Sequence, residues 1–125
     1  MSGLCLGTAV SVILAIVPTH TFTLAWTHSI EKIRWEEDYR VDKNALALIA
    51  ARVRGTGAGM EPAPDAVLRN GVYEYHPLNV SLDKLTVARS NYTKDYELCW
   101  EGRCREFRTL VGPPNGGTTD LFPCP

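Results

Sequence analysis

Two side chains break the apolar phase of the strands that carry them. Glu37 falls in step with Ile33, Trp35, Tyr39 and Val41, and His28 falls in step with Leu24 and Trp26. Alternate residues of a strand share a face, so both point toward the core or into a pocket. A carboxylate and an imidazole on the inner face of one hairpin can pair, which offsets the cost of burying either alone. The same pair can line a ligand pocket or act as a general acid/base unit. The reading as a structural ion pair at the mouth of a barrel is preferred, and contact follows only if the register brings the two together. Ser29 beside His28 invites a hydrolase reading, but neighbours in a strand point to opposite faces, and a nucleophile–base pair needs convergence in space.

Gly55-Thr56-Gly57-Ala58-Gly59 resembles half of a phosphate loop. Pro62 and Pro64 prevent a helix from starting promptly, and no Lys follows, so the segment is read as a flexible connection that can close over a ligand. Trp26, Trp35 and Trp100 are read first as core, with Trp35 kept as a candidate contact beside Glu37. No metal site and no cofactor site are expected. His76 is the only further ligand at all near the cysteines, and zinc needs more at suitable spacing.

Cys99 and Cys104 flank Trp100-Glu101-Gly102-Arg103. A two-residue turn at Glu101-Gly102 sets the cysteines opposite each other in a non-hydrogen-bonded pair, where side chains are closest, and this suits a disulfide. Cys5 is expected to be unpaired, and Cys124 is an alternative partner for either member of the hairpin pair. A disulfide implies an oxidising compartment.

These residues need strands to position them, and the chain from Phe22 onward supplies them. Residues 22–29 and 33–41 alternate with period two and form a hairpin turning near Ser29 to Lys32. Asp42-Lys43-Asn44 is a second turn, and residues 45–54 read as a strand, although their alanines also permit a helix. Asn70-Gly71 is a strong signal for a short hairpin joining 67–69 to 72–75, because both positions tolerate positive φ. Residues 85–88, 96–100 and 104–107 supply three more strands, while 112–125, rich in Pro and Gly, reads as irregular. The predicted fold class is mainly β, a small antiparallel barrel or sandwich of about seven or eight short strands. Asn79-Val80-Ser81 and Asn91-Tyr92-Thr93 match the glycosylation pattern, which matters only in a eukaryotic secretory setting.

The chain has 125 residues, 13 basic and 14 acidic, which leaves room for one domain and no field to attract nucleic acid. Residues 1–30 contain no Lys, Arg, Asp or Glu, and Leu4 to Val17 is almost wholly apolar up to Pro18. As a helix this segment spans about 20 Å at 1.5 Å per residue, short of the ~30 Å hydrocarbon core. It is read as an N-terminal hydrophobic helix, either a secretory signal or a membrane anchor, with a buried core helix as the alternative. Retention is favoured over cleavage because no small-x-small site precedes Phe22 and no basic flank is present. The predicted division is a signal or anchor over 1–21 and a β-rich domain over 22–125.

The stretch Phe22-Thr-Leu-Ala-Trp-Thr-His28-Ser29-Ile-Glu31, followed by Trp35-Glu-Glu37-Asp-Tyr39, resembles the bacterial family DUF1850. Gly57-Ala58-Gly59-Met60 and Tyr96-Glu-Leu-Cys99-Trp-Glu-Gly-Arg-Cys104 are similar to that family too. The resemblance covers most of residues 22–110. It implies an envelope protein encoded beside tripartite solute transporters of the TRAP/TAXI type, and it supplies no activity. On that analogy the positions to test are His28, Ser29, Glu37, Gly57 and Gly59, with Trp35 beside them. The expected role is a noncatalytic accessory or interaction module at the periplasmic face of the inner membrane, held there by the N-terminal segment. Its partners are a transporter subunit or a small solute. The alternatives are a solute-binding module and a small hydrolase or acid/base enzyme using His28 and Glu37.

Overall fold

Period-two patterning forms strands, and short two-residue turns bring those strands together as antiparallel pairs. The computed structural model of the protein describes residues 3–9, 12–27, 33–54 and 66–125. Among them, the strands in chain order are β1 (Leu4–Ala9), β2 (Val12–Val17), β3 (Thr21–Thr27), β4 (Arg34–Val41), β5 (Leu46–Arg54) and β6 (Val67–Arg69). They continue as β7 (Val72–Tyr75), β8 (Ser81–Leu82), β9 (Leu85–Ala88), β10 (Glu97–Trp100), β11 (Arg103–Glu106) and β12 (Thr118–Pro123), with helix α1 (Phe107–Val111) after β11. A small sheet runs β2-β1-β12-β9, and a large one runs β11-β10-β3-β4-β5-β7-β6 with β8 also paired to β5. The mainly β class is as expected, but the chain builds two open antiparallel sheets and not a closed barrel.

Two hairpin turns follow directly from their residues. Asn70 and Gly71 both have positive φ, 51° and 77°, and so do Glu101 and Gly102, 52° and 76°. Two successive positive φ values make the type I′ turn whose twist matches that of the flanking strands. The second turn places Cys99 opposite Cys104.

The core gathers residues from both sheets. Leu4, Leu6, Val17, Val87 and Leu121 come from the small sheet, and Phe22, Leu24, Tyr39, Val41, Leu46 and Leu98 from the large one, with Phe107 of α1 among them. Each fully buried leucine contributes roughly 1.5–3 kcal/mol.

The expected N-terminal hydrophobic helix is absent; residues 4–9 and 12–17 are strands instead. Leu4, Cys5 and Leu6 are all buried, so β1 is covered on both faces and shows an unbroken apolar run without alternation. The second half, Val-Ile-Leu-Ala-Ile-Val, is rich in branched side chains that favour strands over helix. Gly7 is required between them, because a Cβ there would lie 1.8 Å from the Val12 carbonyl oxygen, where the β1–β2 register shifts. No helix among the described residues is long and apolar enough to cross a membrane.

The C-terminal tail is also corrected. Its Thr118–Pro123 segment is β12, which pairs with both β1 and β9. Asp120, Leu121 and Phe122 are all buried, so alternation is lost here for the same reason as in β1. Phe107, expected to end a strand, instead opens α1, where its N–H donates to the Tyr96 carbonyl at 2.9 Å.

Candidate functional site

On the inner face of β4, Trp35, Glu37 and Tyr39 follow one another at alternate positions. Pairing with β3 sets Trp35 opposite Trp26 and Glu37 opposite Leu24, while β5 sets Ala51 on the other side of Glu37. The two indoles stack with centroids 6.1 Å apart and planes 5° from parallel. Tyr96 closes on Trp26 at 6.0 Å. Among the described residues the buried Trp35 indole nitrogen has no hydrogen-bond partner.

Glu37 thus carries a carboxylate between two buried aliphatic neighbours, as its phase predicted. The Tyr39 hydroxyl donates to Glu37 Oε1 at 2.9 Å. Burial pushes the Tyr39 phenol far above its ordinary value, and the adjacent Glu37 charge and hydrogen bond push it the same way. Tyr39 therefore keeps its proton and holds Glu37 as a fixed acceptor. Burial also raises the Tyr96 phenol, helped by the charges of Glu37 and Asp95.

The strands define one end of this face. Thr27 pairs with Arg34, and Trp35 pairs with Val53, next to the end of β5 at Arg54. Residues 28–32 and 55–65 continue from these strand ends. His28, Ser29, Gly57 and Gly59, and with them the expected His28–Glu37 contact and the glycine-rich connection, lie outside the described residues.

The outer face of the same sheet is a charge lattice. Arg52 donates from Nη1 and Nη2 to Asp38 at 2.7 and 2.6 Å and from Nε to Glu36 at 2.9 Å, and it lies 3.4 Å from Glu74. Arg34 bridges Glu36 at 2.8 Å and Glu97 at 2.7 Å. The Thr23 hydroxyl donates to Asp38 at 2.6 Å. The alternating charges of β4 announce this face in the sequence; their partners do not, since they come from β3, β5, β7 and β10.

Both cysteine pairs are disulfides. Cys99–Cys104 is the expected bond across the β10–β11 hairpin, with Arg34 Nη2 at 3.9 Å from Cys104 Sγ. Cys5, expected to be unpaired, is bonded to Cys124, which thereby joins no other partner. The reason is positional: Cys5 pairs in register with Phe122 of β12, and Cys124 follows two residues on. Sequence reasoning also missed Arg89 and Asp95, a buried pair with Nε–Oδ1 at 3.1 Å and Nη2–Oδ2 at 2.8 Å. Asp95 accepts two backbone N–H bonds as well, from Tyr96 and Arg108, and so fixes the start of α1 against β10. Among the described residues no group of three or more His, Cys, Asp or Glu is placed to hold a metal ion.

A family model described as a domain of unknown function (DUF1850) matches residues 22–107. No curated protein and no solved structure matches the chain.

Proposed function

Since the chain belongs to the DUF1850 family, we propose that it is a noncatalytic interaction module of the bacterial envelope, recognising its partner through the Trp35/Glu37 end of the large sheet. The observation that carries this reading is the pairing of a fixed acceptor with an unused donor. Glu37 is held by Tyr39, and among the described residues the buried Trp35 indole N–H has no partner beside the Trp26 stack. A partner that supplies an acceptor to Trp35 satisfies a buried donor whose isolation costs about 1–3 kcal/mol. The two disulfides support an oxidising compartment, and the location proposed is the periplasmic face of the inner membrane. The partner proposed is a subunit of a TRAP/TAXI-type transporter or its solute, following the family resemblance.

The test is a pull-down of the full chain from membrane extracts, comparing the wild type with Trp35→Phe, Glu37→Ala and His28→Ala, each checked for folding by circular dichroism. Transporter subunits recovered with the wild type and lost with folded variants support the reading. Recovery of none with any chain, or equal recovery with all, removes it. Arg40→Ala, on the outer face of β4, serves as the control that keeps binding.

A further inference from the structure

A disulfide opens when a thiolate attacks one sulfur and the other leaves, so access to the first and stabilisation of the second set its lability. The two disulfides differ on both counts. Cys5 is buried and lies in register between Ile16 and Phe122, where neither attack on its sulfur nor its release as a charged thiolate is favoured. Cys104 is exposed and Cys99 half-buried. Both line an open groove of about 520 Å³, shared with Thr23 and Asp38 of the outer face of the large sheet. Beside the bond stands Arg34. Its Nε donates to Glu36 at 2.8 Å and its Nη1 to Glu97 at 2.7 Å. Its Nη2 is left turned toward Cys104 Sγ, at 3.9 Å. The two carboxylates offset part of the guanidinium charge, but they fix the direction of this third donor. A cationic donor held against a sulfur stabilises it far more as a thiolate than as half of a disulfide.

We propose that Cys99–Cys104 is a thiol–disulfide exchange site, opened by a dithiol that attacks Cys99 while Arg34 receives Cys104 as the leaving thiolate. In the first step a thiolate of the dithiol bonds to Cys99 Sγ. The Cys99–Cys104 bond breaks, and its electron pair stays on Cys104 Sγ beside Arg34. In the second step the other thiolate of the dithiol attacks its own sulfur in the mixed disulfide, which closes the dithiol as a disulfide and releases Cys99. Two electrons pass from the dithiol to the protein, and the protons lost by the dithiol are available to the two cysteines. A monothiol lacks the second step. The hairpin keeps Cys104 opposite Cys99, so the Cys104 thiolate, at high effective concentration, recloses the bond and expels a monothiol. Opening also leaves the fold in place. The bond spans residues only five apart, the type I′ turn at Glu101-Gly102 is local, and β10 stays paired with β3. The inference is independent of the role assigned to Trp35 and Glu37.

The experiment exposes the oxidised full chain to dithiothreitol under native conditions, quenches with acid, alkylates, and maps the cysteines by mass spectrometry. Cys99–Cys104 is expected to open roughly tenfold faster than Cys5–Cys124, or more, with the circular dichroism spectrum unchanged. Glutathione at the same thiol concentration is expected to leave the bond closed. Arg34→Gln is expected to slow the opening about threefold, through the poorer leaving group. A merely structural Arg34 predicts the opposite sign, since its loss would loosen the hairpin and speed the opening. The wild type supplies a check that needs no variant: the adduct trapped by acid after a brief excess of glutathione should sit on Cys99. Equal opening rates for the two disulfides overturn the inference. So does an unchanged or faster rate in Arg34→Gln, or an adduct on Cys104. Reduced thioredoxin distinguishes the source of the dithiol: opening by it as well as by dithiothreitol assigns a protein dithiol, and opening by dithiothreitol alone a small one.

Discussion

The two disulfides fasten very different parts of the molecule. Cys5–Cys124 joins residues 119 apart, ties β1 to the end of β12, and has Cys5 only 1 % exposed. Cys99–Cys104 joins residues five apart within one exposed hairpin. The first closes the small sheet over the core; the second reinforces an edge of the large sheet that a type I′ turn already shapes. The family match repeats this division. Apart from Thr21, the first residue of β3, residues 22–107 contain every strand of the large sheet, with its stacked indoles and Glu37, but only β9 of the small one. The matched segment thus holds the candidate chemistry, and strands beyond both of its ends cover it.

If that division is right, removing the two bonds has unequal consequences. Cys5→Ser combined with Cys124→Ser is expected to lose about 4–5 kcal/mol, the loop-entropy contribution for a loop of this length. Urea unfolding followed by tryptophan fluorescence measures it. A loss no larger than that of the hairpin disulfide would mean that β1 and β12 hold together without their bond, and the comparison would fail.

A second variant probes the place where the two sheets meet. Arg89 follows β9 of the small sheet, and Asp95 precedes β10 of the large one; they are 7 % and 6 % exposed. Arg89 Nη2 also donates to the Gly112 carbonyl at 2.7 Å. Arg89→Ala leaves the Asp95 carboxylate buried without its counter-charge, with an expected loss of about 3 kcal/mol or more. The same unfolding assay checks this, and near-wild-type stability would show that the clasp is dispensable. Cys99→Ser with Cys104→Ser comes next, at about 2 kcal/mol for so short a loop. The turn at Glu101-Gly102 should persist, so circular dichroism is expected to be unchanged.

What was legible in the sequence divides along the same line. Glu37 could be placed on the inner face because phase along one strand needs no partner. The turns at Asn70-Gly71 and Glu101-Gly102, and the Cys99–Cys104 bond, were legible because each is settled within a few residues. The small sheet was not. Strands β1 and β12 are buried on both faces, so they lack the alternation that reveals a strand. An apolar run without charge then reads as a helix, and a strand among prolines and glycines reads as a tail. Cys5 and Cys124 meet only through that unread pairing. The outer-face lattice was half legible: β4 displays its charges in alternation, while Arg52, Glu74 and Glu97 reach it only through the register of the sheet.

That lattice yields the smallest predicted effect and the finest test of the large sheet. Burial alone would push the carboxyls of Glu36 and Asp38 up. For Glu36, hydrogen bonds from Arg34 and Arg52 outweigh burial, and for Asp38 those from Arg52 and Thr23 do, with the arginine charges adding to both. Both groups are therefore held below their ordinary values of 4.5 and 3.8. A carboxyl depressed in the folded state binds fewer protons there than in the unfolded chain, so its contribution is present above the ordinary value and fades as pH falls through the folded one. Stability is thus expected to decline as the solution is acidified below about pH 4. Asp38→Asn should flatten that decline while lowering stability modestly at neutral pH, because these half-exposed groups are screened by water. Equal slopes in wild type and Asp38→Asn would show that the outer lattice is solvated charge and not a coupled network.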